Sequence, residues 1–223
     1  MEGSRIIEII ISSFPKILIP GLVYTIPLTI ISFAIALILA MITAIVQIQK
    51  IPVLKYLARF YIWAVRGTPL LVQLFVVFYG LPNIGILIDP FPAAIIVFSI
   101  NEGAYAAETI RAAIESVPVG QLEAGYCVGM TYWQTMRRII IPQALRTAFP
   151  MLGNEMISMV KDTSLAANIT VMEMFMATQR IVARTYEPLV LYCEVGVIYL
   201  IFCTVLTWIQ HRGEKRLNRY GRR

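Results

Sequence analysis

Residues Lys16 to Lys50 read KILIPGLVYTIPLTIISFAIALILAMITAIVQIQK, and no side chain between the two lysines is charged. An α-helix rises about 1.5 Å per residue and about 20 apolar residues cross a bilayer core, so this stretch exceeds the length of one membrane span. The rest of the chain agrees with it. Of 223 residues, 58% are hydrophobic and 14% charged, with a mean hydropathy of +0.74; soluble domains carry roughly 25% charged residues. The fold class is therefore all-α, a polytopic membrane protein.

Working outward, the sequence suggests about five transmembrane helices. The first runs from about Ile17 to Gln47, is interrupted by Pro20-Gly21 and Pro27, and follows an amphipathic interfacial piece, RIIEIIISSF. The second covers about Val53–Tyr79 and the third Phe91–Ala113, joined by the turn-rich linker GLPNIGILIDPFP. The fourth starts after Pro142 and continues to about Val171; the fifth spans Leu189–Gln210. Glu2 and Glu8 flank Arg5 where a signal peptide is purely cationic, so the first span is expected to be retained. Cys127, Cys193 and Cys203 show no pairing pattern and read as small packing residues.

Charge sets the orientation. Lys50, Lys55 and Arg59 follow span one; Arg111, Arg137, Arg138 and Arg146 lie between spans three and four; the tail HRGEKRLNRYGRR follows span five. With five spans all three stretches share one side, the cytoplasmic one by the positive-inside rule. On the other side Glu173 and Glu187 offset Arg180 and Arg184. This places the N-terminus outside and the C-terminus in the cytoplasm. The net charge of +6 is thereby explained without nucleic acid. The whole of 1–223 reads as one transmembrane domain, with a cytoplasmic loop at about 115–142 and a basic tail at 211–223.

That loop has the grammar of two short helices. Pro118 opens a helix through QLEAGYCV, and Gly129 ends it as a left-handed C′ residue. Thr131-Tyr-Trp-Gln134 is a capping box for a second helix, which Pro142 terminates. Gly125 and Gly129 lie four apart on one face, where another surface can approach closely. A hairpin tethered by spans at both ends suits docking to a cytoplasmic protein better than DNA.

Glu123-Ala124, Gly129 and the run from Ile139 to Pro142 resemble the EAA loop of ABC-importer permeases. RGTPLLVQLF (66–75), AYAAETIRAAIESVPVGQLEAGYCVGMT (104–131), IPQALRTAFP (141–150) and KDTSL (161–165) are similar to the polar amino-acid uptake permeases, over roughly 55 to 172. The departures are Gly125, where the motif has a second alanine, and Cys127, where a plain small residue is usual. The resemblance implies the ABC type I importer fold, with Glu123, Ala124, Gly125 and Gly129 forming the ATPase-coupling hairpin. It also implies a cytoplasmic ABC ATPase dimer, a second permease subunit (the same chain or a paralogue) and an extracytoplasmic amino-acid-binding protein. The sequence has no GxxxxGK[ST] run, so ATP and Mg belong to the partner; no cofactor, metal site or catalytic residue is expected here.

Acids at membrane depth mark pathways. Glu102, Glu155, Lys161, Asp162 and Ser164 are candidate substrate-binding residues, with Lys161 alternatively neutralising Asp162. Glu194 reads equally as a gate, an interface contact or a ligand. Gly67 and Thr68 join the set because Pro69 removes a helical donor mid-span, and a broken helix offers backbone groups to a zwitterion. The acidic excess favours a polar amino acid, with a cationic one slightly preferred. Glu108 and Arg111 read as an i,i+3 surface pair. The alternative is an ion-coupled carrier or channel using the same acids, which leaves the hairpin without a purpose. A membrane enzyme lacks support, since His211 is the only histidine and no HExxH or GxSxG occurs.

Overall fold

The computed structural model describes residues 2–49 and 51–219; Lys50 and residues 220–223 of the basic tail, both used in the charge argument, lie outside the described residues. Every element among the described residues is helical. α1 (Glu2–Pro20) passes through a π-helical turn, Gly21–Thr25, into α2 (Ile26–Ile48). The expected interfacial piece is thus not separate: 5–48 is one apolar helical run of 44 residues. The π turn carries the backbone between the prolines, with the Ile26 N–H donating to the Gly21 carbonyl, one residue further back than in an α-helix.

α3 (Leu54–Arg66) and α4 (Leu70–Phe75) are separated where a break was expected. Gly67 closes α3 with its N–H on the Trp63 carbonyl, and Pro69 is extended with ψ of 137°. A π turn (Val76–Gly80) and a 3-10 turn (Leu81–Ile84) extend α4 to Gly85, whose φ is +83°. α5 (Pro90–Glu115) is followed by α6 (Val119–Cys127) and α7 (Tyr132–Thr135). Pro142 does not terminate the second hairpin helix. A π turn at Met136–Ile140 joins α7 to α8 (Ile141–Asp162), with the Ile141 N–H on the Met136 carbonyl. Pro142 then falls in the first turn of α8, where a missing donor costs little. A 3-10 segment (Thr163–Ile169), α9 (Met174–Thr185) and α10 (Pro188–Arg219) complete the chain.

The expected first, third and fifth spans are helical throughout, whereas the second is broken at 67–69 and the fourth leaves helix at 170–171. Among the described residues, by length and hydropathy alone two runs qualify, 5–48 and Pro188–Leu217, or three if the broken α3/α4 pair is one span. α5 and α8, at 26 and 22 residues, are long enough, but Asn101, Glu102, Glu108 and Arg111, and Arg146, Glu155, Lys161 and Asp162, dilute their hydropathy. Polar residues on a helix that must still cross lipid point to a protein-lined or water-lined face.

The chain forms two compact units. The first is drawn from 1–34, 68–99 and 156–206. One core within it buries Leu28, Leu74, Phe98 and Met159, and another buries Ile17, Met174, Leu191 and Ile198. The second unit is drawn from 35–67, 100–155 and 207–223. Its cores are made mainly of alanine: Ala40, Ala44, Ala104 and Ala107 in one, Ala113, Ala144 and Ala148 in the other. Small residues let helix backbones approach closely, which is how helices associate where lipid removes the hydrophobic drive. Large apolar side chains such as Ile38, Leu200 and Trp208 are exposed, as expected of helices bounded by acyl chains. Cys127 and Cys193 are also exposed, contrary to the packing role read for them, and all three cysteines are free.

Candidate functional site

The α6–α7 hairpin is built from backbone rules that its residues satisfy. Gly129 has a φ of +79°. Its N–H donates to the Tyr126 carbonyl at 2.9 Å, and the Met130 N–H to the Gly125 carbonyl at 3.0 Å. This pair of bonds is a Schellman motif. Thr131 and Gln134 form the capping box in both directions, at 2.8 and 3.4 Å. Glu123 and Ala124 are exposed on α6, whereas Gly125 is buried. A Cβ on Gly125 would lie 2.6 Å from Thr135, itself fully buried. The close approach that glycine permits here is therefore made by α7 of the same hairpin, not by an outside surface. The hairpin is tied to its surroundings by Gln49, which donates to the Tyr132 hydroxyl at 3.0 Å, and by Gln143, which donates to the Gln121 side-chain oxygen at 3.5 Å.

In the second unit, Glu155 of α8 accepts a hydrogen bond from Thr109 of α5 at 2.6 Å. Its other oxygen is buried with no partner among the described residues. Arg66, just before Gly67, stacks over Tyr105 at 5.0 Å and acts electrostatically on Glu155. Glu102 is half-buried on α5, and Gly67 is exposed at the end of α3. Arg111 bonds Glu108 at 2.8 Å and Glu115 at 2.5 Å, with Gln47 donating to Glu108 at 3.1 Å. The expected i,i+3 pair is thus part of a four-residue network.

The first unit holds Thr68, Lys161, Asp162 and Ser164. Thr68 is exposed, and its carbonyl and hydroxyl accept from Gln73 at 3.2 and 2.9 Å, a link from α4 back to the residues that precede it, which sequence reasoning missed. Lys161 and Asp162 form no ion pair within 4.0 Å among the described residues, although Lys161 influences the acid electrostatically. Lys161 and Ser164 instead line a cavity of about 470 Å³ together with Phe175, Tyr192 and Tyr199. Thr163 and Ser164 donate to the carbonyls of Val160 and Lys161, both at 2.7 Å. The polar run therefore also ends α8, satisfying terminal carbonyls as it tightens to 3-10 geometry.

Two further acids are engaged by the chain itself. Glu173 is fully buried. It caps α9 by accepting the N–H groups of Phe175 and Met176 at 2.8 and 2.7 Å, and the Tyr199 hydroxyl at 2.9 Å. It is not the surface counter-charge that the loop tally assumes. Burial pushes its carboxyl above the ordinary glutamate range, partly opposed by those three donors. Glu194 accepts from Ser13 of α1 at 2.5 Å and is buried, a partnership 181 residues apart in sequence.

The chain is similar to named transport permeases over nearly its whole length. The family model described as "binding-protein-dependent transport system inner membrane component" matches residues 36–219. The L-cystine transport system permease protein TcyB of Bacillus subtilis is 51% identical over 96% of this chain and 92% of its own. The nopaline transport system permease protein NocM of Agrobacterium fabrum is 36% identical over 97% and 93%. A crystal structure of an amino acid ABC transporter with histidines superposes with a TM-score of 0.87 at 33% identity, covering 92% of this chain and 96% of that one. An inward-facing MetNI methionine ABC transporter gives a TM-score of 0.76 at 17% identity, over 90% and 96%, and shares the fold. The importer reading is therefore favoured over the ion-coupled carrier, and the chain belongs to the family of membrane-embedded permease components of binding-protein-dependent ABC importers.

Proposed function

We propose that this chain is the transmembrane subunit through which a polar amino acid enters the cell, driven by ATP hydrolysis on a separate cytoplasmic ATPase dimer. The observation that carries the reading is the doubly capped hairpin and its continuity with α8. A load on α6 and α7 passes through the Met136–Ile140 π turn into a helix that bears Glu155. ATP and Mg are bound by the ATPase; an extracytoplasmic binding protein delivers substrate; a second permease subunit, identical or paralogous, completes the path. The N-terminus lies outside and the C-terminus in the cytoplasm, supported by Lys55, Arg59, Arg137, Arg138 and Arg146.

In this reading Glu123 and Ala124 are the exposed coupling contacts, and Gly125 and Gly129 hold the hairpin in shape. Gly67, Glu102 and Glu155 in the second unit, and Thr68, Lys161, Asp162 and Ser164 in the first, are the candidate substrate-binding residues of this reading. Relatives named for L-cystine at 51% and 39% identity make cystine, with two ammonium and two carboxylate groups, the first candidate. A cationic amino acid is the second, favoured by the unpartnered oxygen of Glu155. The test is ATPase stimulation in the reconstituted transporter with cystine, arginine, histidine and glutamate. Cystine is expected to stimulate most; equal stimulation by glutamate would remove the electrostatic argument, and turnover without the hairpin would remove the coupling role.

A further inference from the structure

A cavity of about 490 Å³ lies in the second unit between the end of α2, one face of α3 and the end of α5. Gln47, Lys55, Arg59 and Trp63 line one side, and the Glu108–Arg111–Glu115 set lines the other. We propose that this cavity binds the phosphate headgroup of an anionic phospholipid.

Three features converge. First, Arg111 is fully committed: its Nη2 and Nε bond Glu108 and its Nη1 bonds Glu115. Those two acids are thereby neutralised in part by a neighbour they already hold. Second, Lys55 and Arg59, one helical turn apart on α3, form no ion pair among the described residues. Three cations against two acids leave the lining at 3 − 2 = +1, so an anion completes it. Third, α3 exposes Tyr56, Leu57, Phe60 and Trp63 beside these cations. Aromatic and basic side chains together at a span's end are the composition of a membrane–water boundary, and basic pockets between spans hold anionic headgroups. A soluble phosphate gains nothing from that apolar face, whereas acyl chains cover it.

The proposal rests on α3 being membrane-embedded and not on substrate or coupling, so it is measured without transport. Native mass spectrometry of the assembled transporter, released from membranes, should show phosphatidylglycerol retained in preference to phosphatidylcholine. The pair Lys55→Gln with Arg59→Gln should weaken that retention about twenty-five-fold, at about fivefold per cation near an anionic surface. Lys215→Gln with Arg216→Gln in the tail should leave it unchanged. Equal retention of the two lipids by the unaltered protein overturns the proposal, and this comparison needs no variant to fold. Undiminished phosphatidylglycerol retention in the α3 pair also overturns it. So does thermal stabilisation by inorganic phosphate that matches stabilisation by phosphatidylglycerol, which would make the site one for a small soluble anion.

Discussion

The Thr109 hydroxyl donates to one oxygen of Glu155 at 2.6 Å, while the other oxygen is buried with no partner among the described residues. Under the function proposed above, that second oxygen is the acceptor for a substrate ammonium group. Glu155→Gln should raise the KM for uptake by about 10- to 150-fold, since a hydrogen bond to a charged group contributes about 1.5–3 kcal/mol. Basal ATP turnover should persist. An unchanged KM in proteoliposome uptake would show that Glu155 serves packing with Thr109 and not the substrate.

Gly125→Ala tests why glycine stands where relatives of the loop motif have alanine. Alanine gains about 0.5–1 kcal/mol of helix propensity, but its Cβ would lie 2.6 Å from Thr135, and such overpacking costs about 1–3 kcal/mol. The clash should win. Hydrogen exchange in 119–135 should accelerate, and adding Thr135→Ala should recover most of the protection. Protection unaltered by Gly125→Ala would mean that Thr135 moves aside freely.

Glu173 gives α9 a pH dependence. Its carboxyl is raised above the ordinary value of 4.5 by burial. A raised pKa in the folded state means that its stabilising contribution is complete below the unfolded value and is lost as pH rises through the folded value. Amide exchange in α9 should therefore slow as pH falls from neutrality toward about 4.5, after correction for intrinsic rates. Glu173→Gln keeps one acceptor oxygen, enough for one of the Phe175 and Met176 N–H groups, and, having no titrating carboxyl, should flatten that dependence. A Gln variant with the same pH profile would assign the effect elsewhere.

Gln210 ties α10 to α8. Its Nε2 donates to the Pro150 carbonyl at 3.0 Å, to Asn154 at 3.2 Å and to Glu214 at 3.0 Å. Gly153 leaves the room, because a Cβ there would meet the Gln210 side chain at 2.6 Å. Gln210→Leu removes the shared donor and should destabilise the protein by about 1–3 kcal/mol. A melting temperature unchanged in detergent would show that the three acceptors find other partners.

Local grammar was legible. Gly129 as a left-handed C′ residue and the Thr131–Gln134 box were readable because each bond closes within a few residues. Pro69 likewise marked the break after Gly67. The same local rule misread Pro142, since a proline can be accommodated when a π turn shifts the hydrogen-bond register before it. Glu173 was taken for a loop charge because Tyr199, its partner, lies 26 residues away, and nothing in VMEMFMATQ signals that contact. Thr109 was passed over for the same reason: Glu155 is 46 residues distant.

By itself the sequence determined the solvent, the helices and the hairpin. Apolar length, the distribution of lysine and arginine, and cap residues each act through the bilayer or through neighbours within a turn or two. Only the tertiary structure decided which polar side chains the chain uses for itself. Glu173 is held by α9 and Tyr199, Gly125 is filled by Thr135, and Glu155 and Glu194 each keep one oxygen open among the described residues. Whether an acid finds a donor depends on which helix faces pack together, and side chains tens of residues apart meet only once that packing exists.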